Sequence, residues 1–481
     1  MKKLLSLLLI AALTLAMPLS TALSSAVPCD VQAAVTNNQN HWEYWGWQNW
    51  SQPVRSYLYD NGDGSVTRVE YTGSAVTVEV FDSSRNIVSA NTVQMELPLF
   101  GGFYAGSEYN FLVFGQENTG ESNDVEVIRT VKYSKNWTRL GSASLFGENT
   151  YIPFEAGSLR MTEYAGFLFV RTCHKMYANN GVNHQANLTY IVNISTLQVR
   201  ECWSRVANIT WGGYCSHSFN QFIAIDGNKL VALDHGDAHP RSAVLVRYTS
   251  SAAGSSTLTG GNEYVETVVY PGNTGNNYTY SCIGGLEVTS KGYMTVGNTN
   301  LSESSSVPRN VYITVTDRND FTESGTTTVW LTNYTSTGVS VSNPQLIKIN
   351  DDKLMVLWKE GSTVKYVFVD GSGNLITEIT EAPGYKVSDC QPIVIGNKVE
   401  WYVTSNSAPV FYSIAIPGDG LLGDVDCNGV VDMSDISMLF SYLNGGSVTI
   451  SAEGLQNADA NGDGSVNVMD ITAIFNIIAN S

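Results

Sequence analysis

The stretch FIAIDGNKLVAL, residues 222–233, contains two short apolar strands joined by a tight turn. Gly and Asn in the turn tolerate the positive φ that a two-residue hairpin requires. The same strand–turn–strand pattern returns three times closer to the C-terminus, as LEVTSKGYMTV (286–296), LIKINDDKLMVL (346–357) and PIVIGNKVEWYV (392–403). A supersecondary unit that recurs along a chain indicates a repeat architecture.

The second strand of this hairpin recurs over residues 35–420, and a third strand and a more polar fourth strand follow it in most units. Its seven copies are SVTRVEY (65–71), NFLVFGQ (110–116), GFLFVRT (166–172), NKLVALD (228–234), GYMTVGN (292–298), KLMVLWK (353–359) and KVEWYVT (398–404). Four antiparallel strands per unit predict a mainly β fold, a seven-bladed β-propeller. Six blades are the alternative, because residues 54–98 form the least regular unit. Residues 41–58 are a candidate for a strand that closes the last blade.

The amino-acid composition limits the kinds of molecule that this protein is expected to bind. The chain has 481 residues, of which 43% are hydrophobic, so it can build packed cores. It carries 26 Lys and Arg against 44 Asp and Glu, a net charge of -18. Such a chain repels phosphate backbones, which argues against a nucleic-acid partner. Eight of the acidic residues, and no Lys or Arg, follow residue 420. The rest of the chain is therefore only weakly charged, which suits neutral or mixed glycans.

The N-terminus has the pattern of a secretory signal peptide. Lys2 and Lys3 precede a mostly apolar run from Leu4 to Met17, which is too short to span a bilayer. Val31-Gln32-Ala33 then offers a cleavage site of small residues, with Ala33 or Ala34 the last residue removed. We assign residues 1–34 to the signal and expect a secreted, extracellular protein with no membrane span.

Three cysteines lie close together in the sequence, Cys173, Cys202 and Cys215. The sequence allows one disulfide bridge among them but does not establish it.

Two segments near the C-terminus match the calcium-loop pattern. They read DVDCNGVVDMSD (424–435) and DANGDGSVNVMD (459–470), with Asp or Asn at positions 1, 3, 5, 9 and 12 and Gly at position 6. A hard cation needs six or seven oxygen ligands, and Gly lets the loop turn around it. The predicted ligands of two Ca²⁺ ions are Asp424, Asp426, Asn428, Val430, Asp432 and Asp435, and Asp459, Asn461, Asp463, Ser465, Asn467 and Asp470.

Each calcium loop leads into a short helix with apolar periodicity. The periodic residues are Ile436, Leu439, Phe440 and Leu443 in the first unit and Ile471, Ile474, Phe475 and Ile478 in the second. The two units repeat at an interval of 35 residues. A calcium-stabilised cap with no partner is the alternative interpretation of this segment.

Two loop–helix units, each lacking the helix that precedes an ordinary EF-hand loop, resemble a type I dockerin over residues 421–481. Asp at loop position 12, in place of the Glu of an EF-hand, is also typical of dockerins. The resemblance implies that this module binds a cohesin on a scaffoldin and tethers the protein to a cellulosome-like complex. It further implies that loop positions 10 and 11 contact the cohesin. These are Met433 and Ser434 in the first unit and Val468 and Met469 in the second, unlike the Ser-Thr pairs of the best-known members.

Five of the six histidines fall between residues 174 and 239, on predicted loops of two adjacent blades. Imidazoles, carboxylates and a guanidinium together can transfer protons, hold a metal or clamp an acidic sugar. The candidate catalytic residues are His174, His217, His235, Asp234, Asp237, Arg241 and Tyr177. The candidate substrate contacts are His184, His239 and Arg171.

Three interpretations of this cluster stay open. In a polysaccharide lyase, a His or Tyr177 would abstract the proton α to a uronate carboxylate while Arg241 or a metal neutralises that carboxylate. In a glycoside hydrolase, Asp234 and Asp237 would supply the paired carboxylates. Otherwise the cluster hydrogen-bonds irregular loops together, and the propeller is a non-catalytic subunit that binds glycans or other proteins. The expected role is degradation or binding of plant cell-wall polysaccharide.

Residues 41–50 form a Trp-rich segment, HWEYWGWQNW. We expect its aromatic side chains to pack against the rest of the protein rather than to form an exposed surface that stacks on sugars.

Overall fold

The computed structural model describes residues 31–39, 54–155, 157–179, 181–204, 219–236, 241–248, 262–273, 281–300, 308–335, 338–339, 341–417, 421–461 and 465–480. Several sequence predictions fall outside these ranges. They are the segments 1–30 and 41–53 and the residues Cys215, His217, Asp237, His239 and Asp463.

A two-residue strand, β1 (Thr36–Asn37), precedes three blades of antiparallel strands. Blade one contains β2 (Ser56–Asp60), β3 (Val66–Tyr71), β4 (Ala75–Phe81) and β5 (Ile87–Gln94). Blade two contains β6 (Leu99–Ala105), β7 (Tyr109–Gly115), β8 (Glu126–Ser134) and β9 (Arg139–Phe146). Blade three contains β10 (Thr150–Pro153), β11 (Arg160–Tyr164), β12 (Phe167–Asn179), β13 (Val182–Asn193) and β14 (Val199–Trp203).

Four further blades complete the propeller. Blade four contains β15 (Gln221–Asp226), β16 (Lys229–His235), β17 (Ser242–Tyr248) and β18 (Asn262–Val269). Blade five contains β19 (Cys282–Val288), β20 (Gly292–Asn300), β21 (Arg309–Asp317) and β22 (Thr326–Trp330). Blade six contains β23 (Val341–Asn350), β24 (Lys353–Glu360), β25 (Thr363–Val369) and β26 (Thr380–Ala382). Blade seven contains β27 (Ile393–Ile395), β28 (Lys398–Val403) and β30 (Val410–Ala415), with β29 (Ser405–Ser407) paired to β1.

The prediction of seven blades is confirmed, and the six-bladed alternative is wrong. Each recurring second strand of the sequence is the second strand of one sheet. These strands are buried on both faces, as in β7 and β24, because blades stack face to face. The hydrophobic core is accordingly a series of clusters between neighbouring blades, each drawing side chains from at least two sheets.

Side chains join blade seven to blade one, where the sequence suggested a closing strand from residues 41–58. Of that range, residues 56–58 belong to β2 of blade one instead. Among the described strands, blade seven has three, and β1 pairs with β29. The Tyr402 hydroxyl donates to Glu70 at 2.9 Å across this junction. We call the junction, together with the segment 31–39 that lies along it, the seam.

In blade three, the structure places His174 and His184 on strands rather than on the predicted loop. In the structure β12 and β13 continue as one long hairpin, in which His174 pairs with Ala186. The polar residues of this stretch therefore lie on strands. The sequence prediction was wrong because it treated polar residues as a sign of a loop, whereas backbone pairing between strands does not depend on apolar side chains. The sulfhydryls of Cys173 and Cys202 are free, so no bridge joins them.

In the described part of the chain, the propeller is followed by three helices: α1 (Met433–Leu443), α2 (Ala452–Ala458) and α3 (Val468–Asn480). α1 and α3 are the predicted helices after the calcium loops, and α2 was not predicted. Leu439 and Ile474 are buried in a shared core, whereas Phe440 and Phe475 face solvent. Among the described helices, none is long and apolar enough to cross a bilayer.

Candidate functional site

The first calcium loop gathers three carboxylates around one point. Oxygens of Asp424, Asp426 and Asp435 all lie within 4.8 Å of one another. Asp424 and Asp435 are buried, so their charges are removed from bulk water. Like charges held this close repel one another unless a cation lies between them. All three donors are hard oxygens of the kind that Ca²⁺ prefers, so the residues fit this ion.

Asp435 also shapes the loop that carries it. Its Oδ1 accepts hydrogen bonds from the backbone N–H of Val425 and Asp426, at 2.7 and 3.1 Å. Its Oδ2 accepts from the N–H of Asp432 at 2.8 Å, and the Asp432 side chain in turn caps the N-terminus of α1. A carboxylate at the start of a helix is also stabilised by the helix dipole. The ligand position and the helix cap are therefore one structural unit.

The tight turn of this loop requires glycine. Gly429, at loop position 6, has a φ of 88°. Its N–H donates to Asp424 Oδ2 at 2.9 Å, so the backbone wraps around the first ligand. A side chain at this φ would be strained, which explains Gly at this position of the pattern.

The second loop repeats this arrangement in its described part. Asp470 is buried, and its two carboxylate oxygens accept from the N–H of Asn461 at 3.2 Å and of Asn467 at 2.8 Å. Asn467 Oδ1 accepts from the N–H of Met469 at 2.9 Å and caps α3. The same roles thus fall on residues 35 positions apart, as the sequence repeat predicts.

In the propeller, the structure pairs two of the residues that the sequence singled out. The Arg171 guanidinium on β12 binds the Asp234 carboxylate on β16, with Nε to Oδ1 at 2.9 Å. Both side chains are fully buried. Burial disfavours the charge, but Asp234 and Tyr248 raise the pKa of Arg171 above its usual value. The two residues are 63 positions apart in the sequence, and their ion pair links blade three to blade four. The ion pair is buried, so solvent does not reach it.

Two of the described histidines, His174 and His235, are also fully buried, and they contact different residues. His174 Nδ1 lies 2.8 Å from Thr150 Oγ1 on β10. The His235 ring packs against Tyr270, with centroids 4.8 Å apart. Burial lowers the pKa of each imidazole to about 3, and the Arg241 charge contributes at His235. Both rings are therefore neutral at pH 7.

The remaining candidates lie closer to solvent. The Tyr177 hydroxyl donates to the Ser122 carbonyl at 2.9 Å and accepts from Asn118 Nδ2 at 2.8 Å, and partial burial raises its pKa. His184 is partly exposed on β13. Arg241 is mostly buried, with its Nε donating to the Pro271 carbonyl at 3.2 Å. Tyr177 thus holds the long hairpin of blade three to blade two.

The sequence profile of the Dockerin type I domain matches residues 422–479. This segment is a type I dockerin domain. Type I dockerins bind calcium, and the carboxylates of Asp424, Asp426 and Asp435 supply a fitting site. A dockerin indicates a cohesin partner and a place in an extracellular, cellulosome-type protein.

The dockerin exposes a matched pair of apolar side chains that the sequence analysis missed. Phe440 on α1 is 59% exposed and Phe475 on α3 is 55% exposed, and they occupy equivalent positions of the two units. The residues at loop positions 10 and 11 are exposed too. The 35-residue spacing could have revealed the two phenylalanines, because it places them in register while their neighbours Leu439 and Ile474 fill the core.

The solved structures that match this chain are distant. One is a subtype N10 neuraminidase-like protein of A/little yellow-shouldered bat/Guatemala/060/2010, with 12% identity, a TM-score of 0.39, and coverage of 66% of this chain and 94% of that chain. Another is the β-propeller domain of the Trilobed protease from Pyrococcus furiosus, with 11% identity, a TM-score of 0.37, and coverage of 75% and 95%. These values are too low to transfer a function. No curated protein matches the chain in sequence.

Proposed function

We propose that the protein is a secreted subunit that docks to a scaffoldin cohesin through residues 421–481 and presents its propeller, residues 35–420, to plant cell-wall polysaccharide. The observation that carries the docking is the pair of calcium-loop units, each with exposed apolar side chains on its helix. Large apolar side chains in the open are typical of a binding surface. The dockerin family supplies the identity of the partner.

Met433 and Phe440 belong to one helix and Val468 and Phe475 to the other, so the dockerin has two related candidate faces. Their side chains differ in shape, which favours one orientation of the cohesin over the other. We propose two bound Ca²⁺ ions, one in each loop, since both loops bury a carboxylate at position 12. Calcium would hold each loop closed and thereby set the direction of the following helix.

For the propeller, glycan binding is favoured over catalysis. His174, His235, Arg171 and Asp234 are fully buried, and two of them are already paired. A catalytic acid or base must reach the substrate within hydrogen-bonding distance. Groups that solvent does not reach are better suited to shaping the surface, whereas Tyr177 and His184 on the long hairpin are accessible to a sugar.

Docking is tested by cohesin binding with and without calcium. Chelation is expected to abolish binding. Met433→Ala with Phe440→Ala, or Val468→Ala with Phe475→Ala, should weaken it unequally, and all four changes together should lose at least about 100-fold in affinity. Leu421→Ala is the matched control, since Leu421 is exposed but precedes both loops. Undiminished binding of the fourfold variant, in which calcium loading is intact, would contradict the proposal.

The glycan proposal is tested by screening the whole protein on plant polysaccharides for both affinity and products. Affinity without new reducing ends or unsaturated sugars supports a binding propeller. Unsaturated products would instead indicate lyase chemistry, and new reducing ends alone would indicate hydrolysis. The absence of affinity and products across the panel would overturn a glycan role while leaving docking intact.

A further inference from the structure

A buried cluster of charges lies in the seam. Arg68 and Glu70 come from β3, and Glu79 comes from β4 of the same blade. All three side chains are at most 1% exposed. Arg68 binds Glu70 through Nη2 at 2.8 Å and Glu79 through Nη1 at 2.6 Å. Two buried carboxylates therefore share one guanidinium.

Arg160 is another buried cation near this cluster, and it interacts with Tyr57 and Asp389. Tyr402 donates its hydroxyl to Glu70, and its pKa is raised by burial. Asp389 and the Cys390 thiol lie nearby, and neither contributes positive charge. The neighbouring Glu400 of blade seven is already bound by Arg85 and Lys398. Burying an unmatched carboxylate is unfavourable, so the cluster calls for one more positive charge.

The backbone of Ala34 lies against that carboxylate. Its nitrogen donates to Glu79 Oε1 at 2.5 Å, and its carbonyl accepts from Arg68 at 3.3 Å. The next residues hold this position firmly. Thr36 Oγ1 accepts from Arg68 at 2.6 Å, and Asn38 is fully buried between Thr404 and Ser56. Val31 and Gln32 are exposed, whereas Ala33 is partly buried against the apolar cluster of the seam, so the chain enters the seam at Ala33.

We propose that cleavage between Ala33 and Ala34 is the maturation step of this protein, and that the new α-ammonium group of Ala34 forms a buried ion pair with Glu79 that locks the seam. A processing peptidase would hydrolyse the bond. Water supplies a hydroxyl to the Ala33 carbonyl carbon and a proton to the Ala34 nitrogen, and the free amine takes a second proton from solvent. The step converts a neutral amide donor into the missing cation.

This inference rests on the proposed secretion only for the origin of the peptidase. Val31 and Ala33 sit at positions −3 and −1 of the proposed bond, which is the small-residue pattern of a signal cleavage site. Cleavage one residue later would remove the Ala34 nitrogen from Glu79. The structure therefore distinguishes between the two cleavage sites that the sequence allows.

The ion pair has a defined pH dependence. A free α-amino group has a pKa of about 8, and an adjacent carboxylate raises the pKa of an amine. Its stabilising effect is therefore complete below about pH 8 and disappears as the pH rises through the raised value. We expect the pKa of the Ala34 α-amine to exceed 8 by about one unit or more, measured by NMR on protein with ¹⁵N at that position.

The stability test compares full-length mature protein beginning at Ala34 with protein retaining Ala33. At pH 7 the Ala34 form should melt about 2 °C higher, and the difference should vanish near pH 10. Glu79→Gln should remove the difference, whereas Glu126→Gln, which alters a distant ion pair with Arg129, should leave it unchanged. Equal melting of the two forms, or a difference that survives Glu79→Gln, would overturn the inference.

Two further measurements do not depend on whether Glu79→Gln folds. An α-amine pKa at or below 8 in the unsubstituted protein would overturn the ion pair. The first residue of the exported protein, read by mass spectrometry, is expected to be Ala34. An exported protein that begins elsewhere would refute this maturation step while leaving secretion intact.

Discussion

His174 and His235 illustrate how burial decides the role of a residue. Imidazole normally titrates near pH 6.5, which makes it the usual choice for a general base. Here both rings are removed from water, and their pKa values fall to about 3. They stay neutral through the physiological range, with His174 hydrogen-bonded to Thr150 and His235 packed against Tyr270. Their effect on the protein should therefore appear as sensitivity to acid.

The sign of that effect follows from proton binding. Below pH 6.5 the unfolded chain binds a proton at each of these histidines and the folded protein does not. The free energy of unfolding therefore falls as the pH drops from about 6.5 toward 3, by about 1.4 kcal/mol per pH unit for each histidine. His174→Gln or His235→Gln should reduce the slope of propeller stability against pH, measured by urea unfolding. His184→Gln, on a partly exposed ring, is the control. An unchanged slope in both variants would show that these rings are not held neutral.

At the scale of elements, the dockerin couples metal binding to helix formation. Asp435 closes the first calcium loop and lies in the first turn of α1, and Asp470 has the same two roles in the second loop and α3. The interior of the unit is small, with Leu439 and Ile474 among its few fully buried apolar side chains. A core of this size is marginal alone, so the ions contribute much of the folding free energy.

Removing calcium should therefore unfold the dockerin and spare the propeller. A ligand at 100 times its dissociation constant stabilises the folded state by about 2.7 kcal/mol. Chelation should abolish the helical circular dichroism signal while the β signal persists. Asp435→Ala should have the same effect on α1, measured by calcium titration calorimetry. Val430→Ala should bind calcium normally, because position 7 contributes its backbone carbonyl. Full helicity in chelator would contradict this coupling.

At the scale of the whole molecule, the propeller depends on a seam closed by side chains. Blade one and blade seven share an apolar cluster that contains Leu58, Phe81 and Tyr402. The Arg85–Glu400 ion pair crosses the same junction. Asn38 bridges it as well, since its Oδ1 accepts from the Thr404 N–H at 2.7 Å and its Nδ2 donates to Ser56 at 3.1 Å.

Asn38→Ala should open this seam before the other blade junctions. The change leaves the buried N–H of Thr404 without its acceptor, which costs about 1–3 kcal/mol. Hydrogen exchange should accelerate selectively in β2 and β28, and the melting temperature should fall. Val35→Ala, at a side chain that is 69% exposed, should change neither. Uniform acceleration across all seven blades would argue that the seam is no weaker than the other junctions.

Much of this molecule follows from local chemistry. Turn residues between alternating strands predicted the blades, and Asp, Asn and Gly at fixed spacing predicted the calcium loops. Both signals depend on neighbours within about a dozen residues, where φ preferences and ligand spacing act directly. The signal-peptide pattern is equally local, although it left two cleavage sites open.

The tertiary structure determined the features that depend on contacts between residues far apart in the sequence. The Arg171–Asp234 pair joins residues 63 positions apart, and the bond between Tyr402 and Glu70 spans 332 positions. The same applies to Phe440, which packing left in solvent while its neighbour Leu439 is buried. Burial and charge pairing depend on which surfaces meet, and only the closed ring of blades and the folded dockerin bring those surfaces together. The local sequence therefore specifies the units, whereas their contacts determine which polar residues are structural and which are available to a partner.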